Sequence, residues 1–262
     1  MTSANTRACG TTNYLRSAIV ALLTLGILAV SIAACSSSPT PAATAPSGAS
    51  TRAEIFRATS HTNDGEWQLH HVGEGDERAV YWSTFNWHEC GYETRSNPYS
   101  GTHDISIKTN YRFPSVDFDQ EAFVAAYLEF TVHYDYSGTG DVVIKGEAAD
   151  NPGDVPHNNP TDWENRVRTS ASVTWPSPSG DKGDVVRTPD IKSVVEEIVK
   201  RPGWSPGNAV NLFVEHDLSA HSGMMTWEAA GDVSGLNPDR PRLIIELLSP
   251  TPAPSPTPTA TP

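Results

Sequence analysis

The strongest constraint on this chain is a period of two. In Ile105-Ser106-Ile107-Lys108-Thr109-Asn110-Tyr111-Arg112-Phe113, apolar and polar side chains alternate. Successive side chains of a strand point to opposite faces, so this run describes a strand with one dry and one wet face. Ala126 to Tyr134 is rich in aromatic and β-branched residues and reads the same way. Val142 to Glu147 is its return strand across the turn Tyr136 to Asp141. Arg168 to Trp175, Val210 to Glu215, Met224 to Ala229 and Arg242 to Leu247 complete the series. Many short strands with turns between them predict an all-β sandwich or barrel.

One segment breaks the period. Ile191, Val194, Val195, Ile198 and Val199 fall at helical spacing, opposite Lys192, Glu196, Glu197 and Lys200. Thr188 is suited to cap this helix, Pro189 to its first turn and Asp190 to its positive end. Arg201-Pro202-Gly203 stops it. The pattern predicts one short amphipathic helix over about 188–201, covering one end of the core. Residues 54–104 are less regular. Trp67, Trp82 and Trp87 crowd there with His61, His70, His71 and His88, which predicts one or two opening strands and a long loop.

The helix and the turn after it resemble a known kind of module. Thr188-Pro189-Asp190-Ile191, Val195-Glu196-Glu197-Ile198-Val199 and Arg201-Pro202-Gly203-Trp204-Ser205-Pro206-Gly207-Asn208-Ala209-Val210 look like a segment of bacterial surface modules in which a Trp-ended strand precedes the helix. Pro241-Arg242-Leu243-Ile244-Ile245-Glu246 is similar to their closing strand, with Leu247 in place of an aromatic. These modules are the DNRLRE-type, carbohydrate-binding-like jelly rolls of exported proteins, and the likeness runs over about 105–247. It implies a jelly-roll-like antiparallel β-sandwich with Trp175 and Trp204 in the core, and it implies no catalytic residues.

The two ends have a different composition. Residues 1–16 carry Arg7 and Arg16 and no acid, and an apolar run from Ser17 to Ala34 ends in Ile32-Ala33-Ala34-Cys35. A basic start, an apolar core and small residues before a cut predict a signal peptide over 1–34. Cys35 at the cut matches a lipobox, so its thiol is the expected site of acylation. Several chains hold a protein at a membrane durably where one does not. The competing reading is an uncleaved transmembrane anchor, for which the run is about long enough. Residues 35–53 read as a Ser/Pro/Ala tether, 54–248 as the β-domain, and 249–262 as an extended Pro/Thr-rich tail.

Charge narrows the partners. With 18 Lys and Arg against 31 Asp and Glu, the net charge is −13. Such a chain repels nucleic acid, which is therefore not an expected partner. Removing the leader and acylating Cys35 leaves Cys90 as the one thiol, so no internal disulfide is available and a buried, inert thiol is expected.

No nucleophile elbow and no phosphate-binding Gly loop occurs. His88-Glu89-Cys90 offers metal-capable groups, but alternation sends Glu89 to the opposite face from the other two. His216 and His221 read as solvated residues flanking a turn. The expected absence of a cofactor has one exception, a structural calcium. Asp117, Asp119 and Glu121 sit at alternate positions, and Asp150, Asp154 and Asp162 share a long loop. Aromatic side chains are the other candidates, because flat rings stack on sugar faces. Trp163, in the polar loop Asn158 to Glu164, is the expected exposed platform, with Tyr134, Tyr136 and Trp227 behind it. The sequence thus predicts a membrane-anchored lipoprotein that displays a non-catalytic β-sandwich for glycan or another cell-surface component. The alternatives are a structural or adhesive module without a small ligand, and a polysaccharide-active enzyme on the same fold.

Overall fold

A computed structural model describes residues 50–71, 77–83, 85–97, 101–136, 140–216, 223–232 and 234–250. The strands in chain order are β1 (Thr51–Arg57), β2 (Asp64–His71), β3 (Glu77–Trp82), β4 (Trp87–Asn97), β5 (Gly101–Phe113), β6 (Phe123–Thr131) and β7 (Val142–Glu147). A short helix α1 (Pro160–Asn165) precedes β8 (Arg168–Trp175) and β9 (Val185–Arg187). Helix α2 (Lys192–Val199) then leads to β10 (Val210–His216), β11 (Gly223–Glu228), β12 (Gly231–Asp232), β13 (Gly235–Leu236) and β14 (Arg242–Leu248). All the strand pairings are antiparallel.

Apart from β12 and β13, which pair only with each other, the strands form two packed sheets. One runs β1-β14-β6-β9, and the other follows β11-β4-β5-β10-β7-β8, with β2 beside β5 and β3 beside β2. Leu128, Phe130, Leu243, Ile245 and Leu247 from the first meet Tyr111, Phe113, Ile144, Leu212 and Val214 from the second. This is the dry interior of a β-sandwich, as the period of two requires.

β5 organises the larger sheet. β2 pairs with it from Asp104 to Tyr111 along one edge. The other edge is shared. β4 takes Gly101 to Ile107 and β10 takes Thr109 to Phe113. β4 must therefore leave β5 where β10 begins. Its departing part is Trp87 to Cys90; β11 pairs with Trp87 to Tyr92 along the other edge of β4, and Trp227 of β11 bridges to Val132 just past β6. The β4–β11 leaf thus ties the two sheets together. Trp227 anchors it, fully buried and stacked on Phe130 with centroids 4.6 Å apart. Its indole N–H donates to the Tyr111 hydroxyl.

Helix α2 packs on β6, β7 and β8, with Val194, Val195, Ile198 and Val199 buried in the same core. It begins at Lys192, later than the sequence predicts. Thr188 does not cap it; its hydroxyl accepts from the N–H of Leu128 in β6. Asp190 serves both sides, because its Oδ1 accepts from the N–H of Lys192 at the helix start and from the N–H of Ala126 in β6.

Two further expectations are corrected. Residues 54–104 are not one or two strands and a long loop. They hold most of β1, all of β2, β3 and β4, and the start of β5. The first strand also opens at Thr51, inside the stretch expected to be tether, because Thr51 pairs with Leu248. The loop before β8 contains α1, whose Asn159 side chain accepts from the N–H of Asp162 and whose Pro160 fits the first turn.

The outer face of the larger sheet is covered rather than wet. Trp67, Tyr81, Phe213, Val155 and Trp163 make a second apolar cluster there. Gly65 permits this cover to approach. A Cβ at Gly65 would stand against the Tyr81 phenol and 2.5 Å from the carbonyl oxygen of Trp82. Gly65→Ala is expected to lower stability by about 1–3 kcal/mol through overpacking. Urea denaturation checks this, and an unchanged midpoint counts against so tight a contact.

Candidate functional site

Two groups of side chains stand out, one buried and one exposed. The buried group comes from alternate residues of β2. Asp64, Glu66, Gln68 and His70 share the face opposite Trp67 and Leu69, and β4 lies close by. The Glu66 carboxyl accepts from the N–H of Glu89 and, at 2.8 Å, from the amide of Gln68. The Gln68 carbonyl meets His70 Nε2 at 3.2 Å, and His70 Nδ1 lies 3.2 Å from His103 Nε2. The ring centroids of the two histidines are 5.4 Å apart. That separation is close to the sum of the nitrogen contact and the two ring radii, so the rings point at each other in a hydrogen bond rather than converging on an ion. Glu89 is ion-paired to Arg95, which also holds Glu93.

Deeper in, His88 Nδ1 lies 3.8 Å from Asp64 Oδ2, beyond hydrogen-bond reach. Asp64 Oδ2 accepts from the N–H of Ala230 at 2.7 Å. Asp64 Oδ1 and both ring nitrogens of His88 have no hydrogen-bond partner among the described residues. Burial pushes Asp64 well above the usual carboxylate range. Burial, reinforced by the Glu89 carboxylate, pushes Glu66 up to about 8. Burial alone pushes His88 down to about 3. Glu66 and His88 are thereby held neutral near neutral pH, and burial disfavours the charged form of Asp64 in the same way. Perturbed carboxyl groups of this kind accompany catalysis elsewhere. Here Asp64 and Glu66 are each only 2% exposed, so a dissolved substrate does not reach them in this conformation.

The exposed group sits where β6 ends. Val132 bridges to Trp227, and the chain then presents His133 and Tyr134 beside Trp87, the first residue of β4. His133 stacks on Trp87 with centroids 5.4 Å apart and planes 9° from parallel. Tyr134 stands nearly perpendicular to both, 5.7 Å from Trp87 and 4.4 Å from His133. His133 Nδ1 is held by Glu228 Oε1 at 2.7 Å, and Glu228 Oε2 accepts from the Asn237 amide at 2.6 Å. The Tyr134 backbone is fixed through Thr226, whose hydroxyl accepts from its N–H and donates to its carbonyl. Tyr134 is 51% exposed, Trp87 is half-buried, and the Lys182 ammonium lies 5.4 Å from the Tyr134 ring centroid. The result is a rigid aromatic ledge with a carboxylate, an amide and a cation around it.

Of the aromatic residues singled out in the sequence, Tyr134 is on this ledge. Trp163 is not the exposed platform expected of it. It is 3% exposed, stacked on Trp67 at 5.4 Å, with the Arg168 guanidinium 4.2 Å from its ring centroid. Trp227 is wholly buried as the core anchor. Tyr136 is partly buried against that core, and burial pushes its phenol pKa up. The ledge residues missed in the sequence are Trp87, His133 and Glu228. His133 adjoins Tyr134 in the chain, but only the bridge from Val132 to Trp227 reveals that β4 lies beside it.

The acidic residues do not assemble as expected for calcium. Asp119 accepts from the N–H of Glu121 and caps a short 3₁₀ turn, and Asp117 is exposed. Asp150 binds Arg201 at 2.7 Å, Asp154 binds Arg112 at 3.0 Å and Asn63 at 2.9 Å, and Asp162 binds Arg166 at 2.9 Å. Asp150, Asp154 and Asp162 are thus each engaged by a guanidinium group. Among the described residues, no three Asp, Glu, His or Cys side chains come together to hold a metal ion. Cys90 is fully buried, its thiol near the Val214 carbonyl, and desolvation raises its pKa. His216 is a buried residue of β10 beside the Ser106 hydroxyl, not a solvated turn histidine. A cavity of about 340 Å³ opens beside Glu147, Asp162 and Arg166. Arg166 is already committed there to both carboxylates and to the carbonyls of Gly153 and Asp154. Cys35 and the segments 1–34 and 251–262 lie outside the described residues. Among the described residues no helix is long and apolar enough to cross a membrane. Compared with known proteins, the chain matches no family model and no curated sequence.

The buried group makes stability depend on pH in both directions. Below its ordinary value of 6.5, His88 takes a proton in the unfolded chain but not in the fold until about 3, so stability falls as pH drops through that range. Above its ordinary value of 4.5, Glu66 ionises in the unfolded chain but not in the fold until about 8, so stability falls as pH rises through that range. Asp64, raised for the same reason, adds to the alkaline loss. The thermal midpoint should therefore be highest between about pH 4.5 and 6.5, and Glu66→Gln should flatten the decline from 6.5 to 8. Melting curves across pH check this. A wild-type midpoint that rises from pH 6.5 to 8 contradicts the assignment.

Proposed function

We propose that this chain is an exported lipoprotein whose β-sandwich is a non-catalytic binding module for glycan, carried at a membrane by a lipid on Cys35. The observation that carries the glycan reading is the ledge. Tyr134 stands exposed against a half-buried Trp87 and an oriented His133, with Glu228 and Asn237 at hydrogen-bonding distance from one another beside them. Sugar rings combine apolar C–H faces with hydroxyl groups at their rims. A fixed aromatic face with polar groups at its border is suited to both. Trp87 and Glu228 stand on strands, and the segment carrying His133 and Tyr134 is tied by the Val132 bridge, Thr226 and Glu228, which lowers the ordering cost of binding.

The resemblance of 105–247 to DNRLRE-type, carbohydrate-binding-like modules points the same way. The anchor reading rests on the Arg-bearing start, the apolar run and Ala33-Ala34-Cys35. Within the described residues, the ledge follows the C-terminal end of β6, whose partner residues lie at the end of β14 opposite the pairing of Thr51 with Leu248.

Two experiments test these readings separately. On a glycan array, the full chain should bind at least one polysaccharide, and Trp87→Ala should weaken that binding about tenfold or more, on the order of 1.4 kcal/mol. Silence across the array, with the protein folded by circular dichroism, overturns the glycan reading. For the anchor, Cys35→Ser should move the protein out of the membrane fraction. Retention of the variant with the membranes shows the anchor to be something other than the lipid.

A further inference from the structure

We infer that the ledge takes a single, neutral polysaccharide chain in solution rather than the face of a crystalline polysaccharide or a polyanion. The inference rests on the reading of the ledge as a glycan site and names the class of glycan. A crystalline surface is planar over many sugar rings, so a site for it needs exposed aromatic rings lying side by side in one plane. Among the described residues, the accessible rings that contact a tyrosine or phenylalanine ring stand at angles instead. Tyr134 makes 75° with Trp87 and 81° with His133. The other accessible group, around the exposed Phe85, is also inclined. Trp82 makes 43° with Phe85 and 66° with His157. Trp87 and His133 are parallel, but stacked face over face, so they offer the area of one ring rather than two.

The near-parallel aromatic pairs lie elsewhere. Trp67 with Trp163, Phe130 with Trp227, Phe130 with Trp175, and Trp175 with Trp227 are all buried. A corner of two inclined rings fits one pyranose, with an apolar face on one ring and an edge against the other. A separate chain can turn to present itself this way, whereas a chain locked in a crystal face cannot.

Charge selects within the soluble glycans. The ledge holds Glu228 beside His133, and the exposed Asp135 adjoins it in the chain. The only cation placed over a ledge ring among the described residues is Lys182. With a net charge of −13 behind it, one ammonium does not draw in a repeating polyanion. Glu228 already serves His133 and the Asn237 amide, so it acts as a positioning residue. It fixes the imidazole so that Nε2 is the nitrogen left for a sugar hydroxyl.

The test compares three presentations with the full chain in mild detergent. Native gels are cast with soluble neutral polysaccharides (mixed-linkage β-glucan, galactomannan, xylan) or with alginate as the polyanion, and microcrystalline cellulose and crystalline chitin serve in sedimentation. We expect retardation in at least one neutral gel, none in alginate and no depletion by the powders. Trp87→Ala and, as a surface variant less apt to disturb folding, Tyr134→Ala should each reduce retardation at least fivefold. Depletion by a powder, or retardation in alginate alone, overturns the inference while the glycan reading stands. Retardation that both variants leave unchanged also overturns it, because the corner is then not the site. No binding in any presentation removes the glycan reading itself, and the inference with it.

Discussion

One edge of β5 cannot serve two strands at once, and the architecture follows from how that conflict is resolved. β10 claims the edge from Thr109 onward and β4 the part up to Ile107. The remainder of β4, Trp87 to Cys90, leaves β5 and is carried on by β11 along its other edge. The displaced leaf would be an unpaired flap without something to hold it down. Trp227 does so by filling the space among Phe130, Trp175 and Tyr111. Both candidate groups depend on this arrangement. The leaf covers the polar row of β2, and its outer corner places Trp87 beside His133.

Burying that row leaves carboxyl groups and imidazoles out of water. They are tolerated because Glu66 and His88 stay neutral and because, from Glu66 to His103, the side chains bond to one another in sequence. Asp64 and His88 are satisfied less well, and each orphaned polar atom costs free energy that the surrounding aromatic packing has to offset. On the opposite face the solution differs. Arg112, Arg166 and Arg201 fasten the 148–159 loop by its own acids and carbonyls, and Trp163 and Val155 seal the sheet beneath. An acidic chain thus uses many of its few cations internally.

Strands 105–113, 142–147, 168–175 and 242–247 are legible in the sequence because their inner faces are apolar, so burial and alternation carry the same message. β2 is not, for a physical reason. Asp64-Gly65-Glu66-Trp67-Gln68-Leu69-His70 alternates, but its acidic and amide side chains mark the buried side facing β4. A local pattern reads such a face as wet. Trp163 fails in the opposite sense. Its neighbours Asn158, Asn159 and Asp162 describe a surface loop, and only the folded chain brings Trp67, Phe213 and Arg168 around the ring. The ledge is half legible. Tyr134 shows itself as an aromatic at a strand end, while Trp87 and Glu228 join it through pairings far apart in the chain.

The pairing of β1 with β14 has a mechanical consequence. Thr51 stands opposite Leu248, and the N–H of Ser249 donates to the carbonyl of Ser50, so the described chain enters and leaves at adjacent points. A load drawing those two points apart does not shear the ladder as a whole. It opens one rung after another, starting at Ser50 and Ser249 and travelling towards Arg57. β1 is also an edge strand, and its exposed Ile55 contributes little to the interior. Under tension this strand peels first, at low force, while β6, β14 and the aromatic centre stay closed. Such a load would therefore meet a yielding margin at the end formed by Ser50 and Ser249, and the far end would keep its shape.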